Sequence, residues 1–265
     1  MNIFLFELKS NFKSTLIWIF SICLVAWGFM MIYPSFMSDS AGIIEIFKHY
    51  PPEFLKALGF VPDQFFSVLG FYSFVLIYVE LIAAMQAMVL GLGTSGREIR
   101  TRTSEFVLTK PVKRWEVLGA KTLAILTILV VTNVVLSIVS YLSIAQVAEG
   151  PFSVTALLLV NLSTFLLQLV FAAIGILLGV TFRKLRSVAP VSLSIVFGFF
   201  VVNMLKGIFN DAWIRYFSPF QFYEKYAIIA DKSFETPFLL YSIALILGLT
   251  LVSFVYFSVK DIHAV

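Results

Sequence analysis

Residues 150–182 read GPFSVTALLLVNLSTFLLQLVFAAIGILLGVTF, without one Asp, Glu, Lys or Arg. A helix of about 20 apolar residues crosses the hydrocarbon core of a bilayer. In lipid every backbone group must be paired within its own segment, so a run of this kind is a helix. Working outward, Ser14–Ser38, Thr122–Ala148, Ser187–Leu205 and Thr236–Val259 are equally free of charge, and Gln64–Gly96 holds one acid, Glu80. Six spans are predicted, near residues 15–37, 65–93, 122–147, 154–182, 188–205 and 238–259. The chain is read as an all-α membrane protein with a single domain over 1–265, because the gaps are too short for a separate soluble unit.

Composition agrees. Apolar residues make up 60% of the chain and charged ones 13%, against roughly 45–50% apolar in soluble domains. The formal charge of +4 does not indicate nucleic-acid binding, since the basic residues follow the spans rather than one soluble face. Cys23 is the one cysteine, which excludes an intrachain disulfide. Lys9 and Lys13 precede the first apolar run, but Ile32-Tyr33-Pro34 closes it without a small-x-small cleavage site, so it is expected to be a retained helix.

Topology follows from the basic residues. Lys48, Lys56, Lys206, Arg215, Lys225 and Lys232 fall in the gaps of one side, and the rest of the 19 Lys and Arg fall on the side of both termini. Lys and Arg near span ends mark the cytoplasmic side. Both termini are therefore expected in the cytoplasm, and the short loops suit a bacterial plasma membrane. Phe4, Leu8 and Phe12 share one helical face, which predicts a short N-terminal interfacial helix over residues 1–14. The outer loops 39–63 and 206–235 are rich in Phe and Tyr and punctuated by Pro51-Pro52, Pro62 and Pro219. Such loops suit short helices near the lipid headgroups, broken at the prolines.

Few polar side chains lie within the spans. Glu80 is expensive at bilayer depth, roughly 2.5–3.5 kcal/mol, and must face protein or a wet cavity. Glu80, Gln86, Asn133 and Gln168 are candidates for a translocation path. The competing reading is interhelical bonding, with Asn133 or Gln168 as partner of Glu80. Gly175 and Gly179 carry the small-x-x-x-small spacing that brings helices close, read as internal packing in preference to a dimer seam.

The loop after the second span reads GREIRTRTSEFVLTKPVKR over residues 96–114. Residues 98–109 predict a helix of about three turns, ended by Pro111, which cannot continue it. Glu98, Glu105 and the apolar triplet Phe106-Val107-Leu108 are more than a basic flank needs, and suit a docking element. At this point the chain resembles the permease subunits of ABC-2 type transporters. Thr103, Glu105, Phe106, Val107, Leu108, Thr109, Pro111, Val112, Arg114 and Lys121 follow that family's order, with Arg102 where it usually has Gly. The resemblance implies a cytoplasmic coupling helix between the second and third spans that inserts into a separate ATPase subunit. Its residues would be Glu98, Thr103, Glu105, Phe106, Leu108, Pro111, Arg114 and Lys121. It also implies two ATPase copies holding ATP and Mg, no cofactor on this chain, a second permease chain, identical or related, and export of an amphipathic peptide, drug or lipid-like cargo.

Other chemistry finds little support. Gly91-Leu92-Gly93-Thr94-Ser95-Gly96 spells G-x-G-x-x-G, but it closes a membrane helix rather than linking a strand to a helix. No phosphate-loop motif occurs, and His49 and His263 lack companion ligands, so neither a catalytic nor a metal site is expected. The alternative is a stand-alone secondary transporter or channel. That class usually needs coupling acids or broken helices in several spans, and Glu80 stands alone.

Overall fold

The computed structural model describes residues 3–38, 40–47, 49–51, 54–55, 60, 62–97, 113–182, 187–209 and 214–259, and among these there is no strand. The long helices are α1 (Ile3–Ser38), α4 (Val68–Ser95), α5 (Arg114–Val147), α6 (Val154–Thr181), α7 (Val188–Phe209) and α10 (Thr236–Val259). These six are long and apolar enough to cross a membrane. Short helices α2 (Ser40–Phe47), α3 (Pro62–Phe65), α8 (Ile214–Phe217) and α9 (Lys225–Asp231) lie between them, with a 3₁₀ turn at Pro219–Gln221. The end of the bundle carrying residues 94–97 and 113–121 is termed the basic end, and the end carrying α2, α3 and α8 the aromatic end.

Local signals explain several boundaries. Ser67 and Ser153 cap α4 and α6 by accepting from the amides of Gly70 and Ala156, satisfying donors that a helix start leaves open. No proline or glycine interrupts residues 3–27, and α1 runs unbroken through the segment expected as a separate interfacial helix. With a rise of 1.5 Å per residue, α1 and α5 each extend about 50 Å, well beyond a hydrocarbon core of about 30 Å. Both overshoot at the basic end, side by side, where Glu7 of α1 meets Lys121 of α5.

The centre of the bundle is the α4–α6 pair, the most extensive helix contact among the described residues. A Cβ added at Gly175 would lie 2.8 Å from the Met88 carbonyl and 2.9 Å from the Leu92 amide, both backbone atoms. At Gly179 it would lie 2.8 Å from the Ser95 Cβ. These two glycines therefore let α6 sit directly on α4. Helices α1, α5, α7 and α10 surround the pair, and α7 and α10 keep most of their apolar side chains outward. At the aromatic end Phe65 gathers the rings of Phe36, Phe60, Phe71 and Phe74, which closes α1 and α3 over the start of α4.

Candidate functional site

The basic end holds a cluster that unites three helices. Glu7, only 1% exposed, accepts from Arg97 at 2.9 Å and lies 3.9 Å from the Lys121 ammonium. Lys121, 2% exposed, also donates to the Thr94 carbonyl at 2.7 Å. Glu7 belongs to α1, Arg97 follows the end of α4, and Lys121 lies on α5. Arg97 also donates to Ser10 and stands over the Phe6 ring. The segments on either side of residues 98–112 are thereby fastened to α1. Arg114 adds a fourth helix by donating to the Ser258 carbonyl near the end of α10, at 3.5 Å.

Of the coupling residues expected from sequence, Glu98, Thr103, Glu105, Phe106, Leu108 and Pro111 lie outside the described residues. Arg114 and Lys121 are the two that the structure positions. Glu7 and Arg97 were missed by sequence reasoning. Glu7 does carry a signal: it is the lone acid of the first 38 residues and is set in an apolar run, so it requires a cation.

A second cluster lies at the middle of α4. The Glu80 carboxylate, 2% exposed, meets the Lys225 ammonium at 2.7 Å, and Lys225 is itself 9% exposed. Lys225 opens α9, which belongs to the long segment between α7 and α10 yet packs against α4 and α6. The segment therefore enters the bundle rather than resting on its rim. Its preceding residues are tied to the flanking spans. Ser218 donates to the Phe199 carbonyl at 3.0 Å, Gln221 bonds Asn203, and the Tyr223 hydroxyl donates to Ser242 at 2.6 Å. Burial pushes the Tyr223 phenol up to about 12, with the Ser242 bond opposing the rise and the Glu80 charge adding to it. Tyr223 is thus a neutral donor near neutral pH.

Gln86, Asn133 and Gln168, expected along a path or as glue, are brought together on α4, α5 and α6. Asn133 donates to the Gln168 side-chain oxygen at 2.5 Å, Gln168 donates to Gln86 at 3.1 Å and to the Ala83 carbonyl at 3.2 Å, and Gln86 donates to Thr132 at 2.9 Å. Neither Asn133 nor Gln168 partners Glu80; Lys225 does. Nearer the aromatic end, Tyr72 bonds both Ser140 of α5 and Asn161 of α6 at 2.6 Å. Buried amides and hydroxyls that satisfy one another across helices hold those helices in register.

A family model described as "ABC-2 family transporter protein" matches residues 1–262. No curated protein matches the chain.

Proposed function

The chain belongs to the ABC-2 transporter family, and on that premise we propose that it is the permease half of an ATP-driven exporter, worked through residues 98–114 by a separate ATPase subunit. Membership implies a multi-pass membrane protein that serves an ABC transporter together with an ATPase partner. In the proposed arrangement two ATPase copies hold ATP and Mg on the cytoplasmic side. This chain pairs with a second permease, identical or related, and the basic end faces the ATPases in a plasma membrane.

The observation that carries this reading is the Glu7–Arg97–Lys121 cluster. A loop pushed by another subunit moves a transporter only if its ends are joined stiffly to the spans. Charge-assisted bonds between buried groups are stiff and costly to break. A displacement of residues 98–112 is then passed to α1, α4 and α5 together, and through Arg114 to α10. Gln86, Asn133 and Gln168 hold α4, α5 and α6 as one body during that movement. On this reading Glu80 contributes to a path between permease halves.

The test is co-purification of the chain with its ATPase subunit, and ATPase activity in reconstituted vesicles. Changing Glu98→Lys and Glu105→Lys together is expected to release the ATPase while the permease remains folded. An unaltered complex would refute the docking assignment. Cargo movement in vesicles that lack both ATPase and ATP would establish the stand-alone transporter instead.

A further inference from the structure

We infer that Glu80 is a receiving site for the ammonium group of an amphipathic cargo, and that Lys225 occupies that site between turnovers. The inference deepens the exporter reading by naming the chemical class of what is carried. It begins from the origin of the partner cation. Lys225 is supplied by α9, a seven-residue helix that is no part of a span, whereas Glu80 sits at the middle of α4. One side of α9 is buried through Lys225 and Ile228, while its last residues, Ala230 and Asp231, are exposed, and Lys232 at φ 49° turns the chain out of the helix. The residues before α9 are fastened to α7 and α10 through Ser218, Gln221 and Tyr223. Lys225 fastens α9 itself to α4.

A carboxylate at this depth must be kept paired, because leaving it alone in a low-dielectric interior is costly. Withdrawal of α9 therefore leaves Glu80 to be neutralised either by a proton or by a substitute cation. Neutral or anionic molecules cannot supply such a cation, but an alkylammonium can. A cavity of about 270 Å³ opens against the same segment, lined by Phe222, Tyr223, Glu224, Ala227, Ile228 and Phe234. Its aromatic faces favour a cationic amphiphile. The geometry thus offers two places for such a molecule, one beneath α9 at Glu80 and one beside it, with Lys225 as the internal competitor.

The experiment uses the full chain in phosphatidylglycerol nanodiscs, whose lipid carries no ammonium. Hydrogen exchange of residues 219–231 is followed with dodecylammonium, with dodecanol, and with phosphatidylethanolamine added to the disc. Dodecylammonium is expected to speed exchange in 225–231 at least about tenfold, dodecanol to leave it unchanged, and Glu80→Gln to abolish the response. Acceleration by phosphatidylethanolamine as well assigns the site to a lipid headgroup rather than a free cargo. Equal responses to the amine and the alcohol, no response to the amine, or a response that survives in Glu80→Gln overturns the inference. As a second arm, Lys225→Ala is expected to lose thermal stability and to regain roughly half of the lost Tm shift with dodecylammonium, but not with dodecanol. No ATPase is present in either arm. A negative result therefore strikes this inference alone, and a failed co-purification strikes the exporter reading alone.

Discussion

Glu7 and Glu80 are both almost fully buried, yet the cations that meet them come from different places. Arg97 and Lys121 reach Glu7 from the end of α4 and the first turns of α5, so the cluster at the basic end is made by long helices bracing one another. Lys225 reaches Glu80 from α9, a short helix of an inserted segment. Among the described residues the first cluster shares its anion between two cations, one of which also holds a backbone carbonyl. The second is a one-to-one pair. On the proposed reading similar chemistry does two jobs: a joint that transmits movement where several spans share the charge, and a latch where one small element carries it.

The largest expected effect falls on the latch. Lys225→Ala leaves Glu80 without its cation, and removing one member of a buried pair costs about 3–5 kcal/mol. Thermal unfolding in detergent measures it, and the double change Glu80→Gln with Lys225→Met is expected to recover most of the loss. If the single change costs no more than a surface substitution, the distinction between joint and latch breaks down.

At the joint, Glu7→Gln retains the shape and removes the charge. About 1.5–3 kcal/mol is expected, the range for a hydrogen bond to a charged group. The sharper readout is coupling: the ATPase subunit should still co-purify while its stimulation in vesicles falls. Retained stimulation would show that α1 plays no part in transmission.

Gly175→Ala tests the body that both clusters pull against. The new methyl group meets backbone atoms of α4, and overpacking of that kind costs about 1–2 kcal/mol, read as a lower Tm with the charge clusters unchanged. Smallest of all is Glu235→Gln. Its partner Arg215, at 2.8 Å, also stands over the Phe238 ring, and Glu235 is 39% exposed. Such a pair contributes under about 1 kcal/mol. It marks the baseline against which the buried pairs are judged.

Much of the architecture was legible in the residues. Charge-free runs fall within a few positions of the six long helices, apart from the basic-end extensions of α1 and α5, whose charged residues interrupt the apolar pattern. The spacing of Gly175 and Gly179 pointed to a close helix contact, and the structure shows that contact to be with α4. The polar network was only half legible. Gln86, Asn133 and Gln168 were visible as polar groups in apolar runs, but which of them would bond to which depends on how α4, α5 and α6 rotate about their axes. Tyr72, Ser140 and Asn161 gave no warning, since a tyrosine or a serine in a span is ordinary and becomes telling only beside its partner.

By itself the chain's order of residues determined the number of spans, the helical class, the crowding of basic residues at one end and the demand that Glu80 find a counter-charge. These are local properties, set by side chains within a turn or two and by the cost of unpaired groups in lipid. Only the tertiary structure decided who answers that demand. Lys225 lies 145 positions beyond Glu80, and Arg97 and Lys121 lie 90 and 114 beyond Glu7. Charges so far apart along the chain meet only once the helices have packed, because it is the packing of α4 on α6, and of α1 against α5, that sets which polar groups share the space between them.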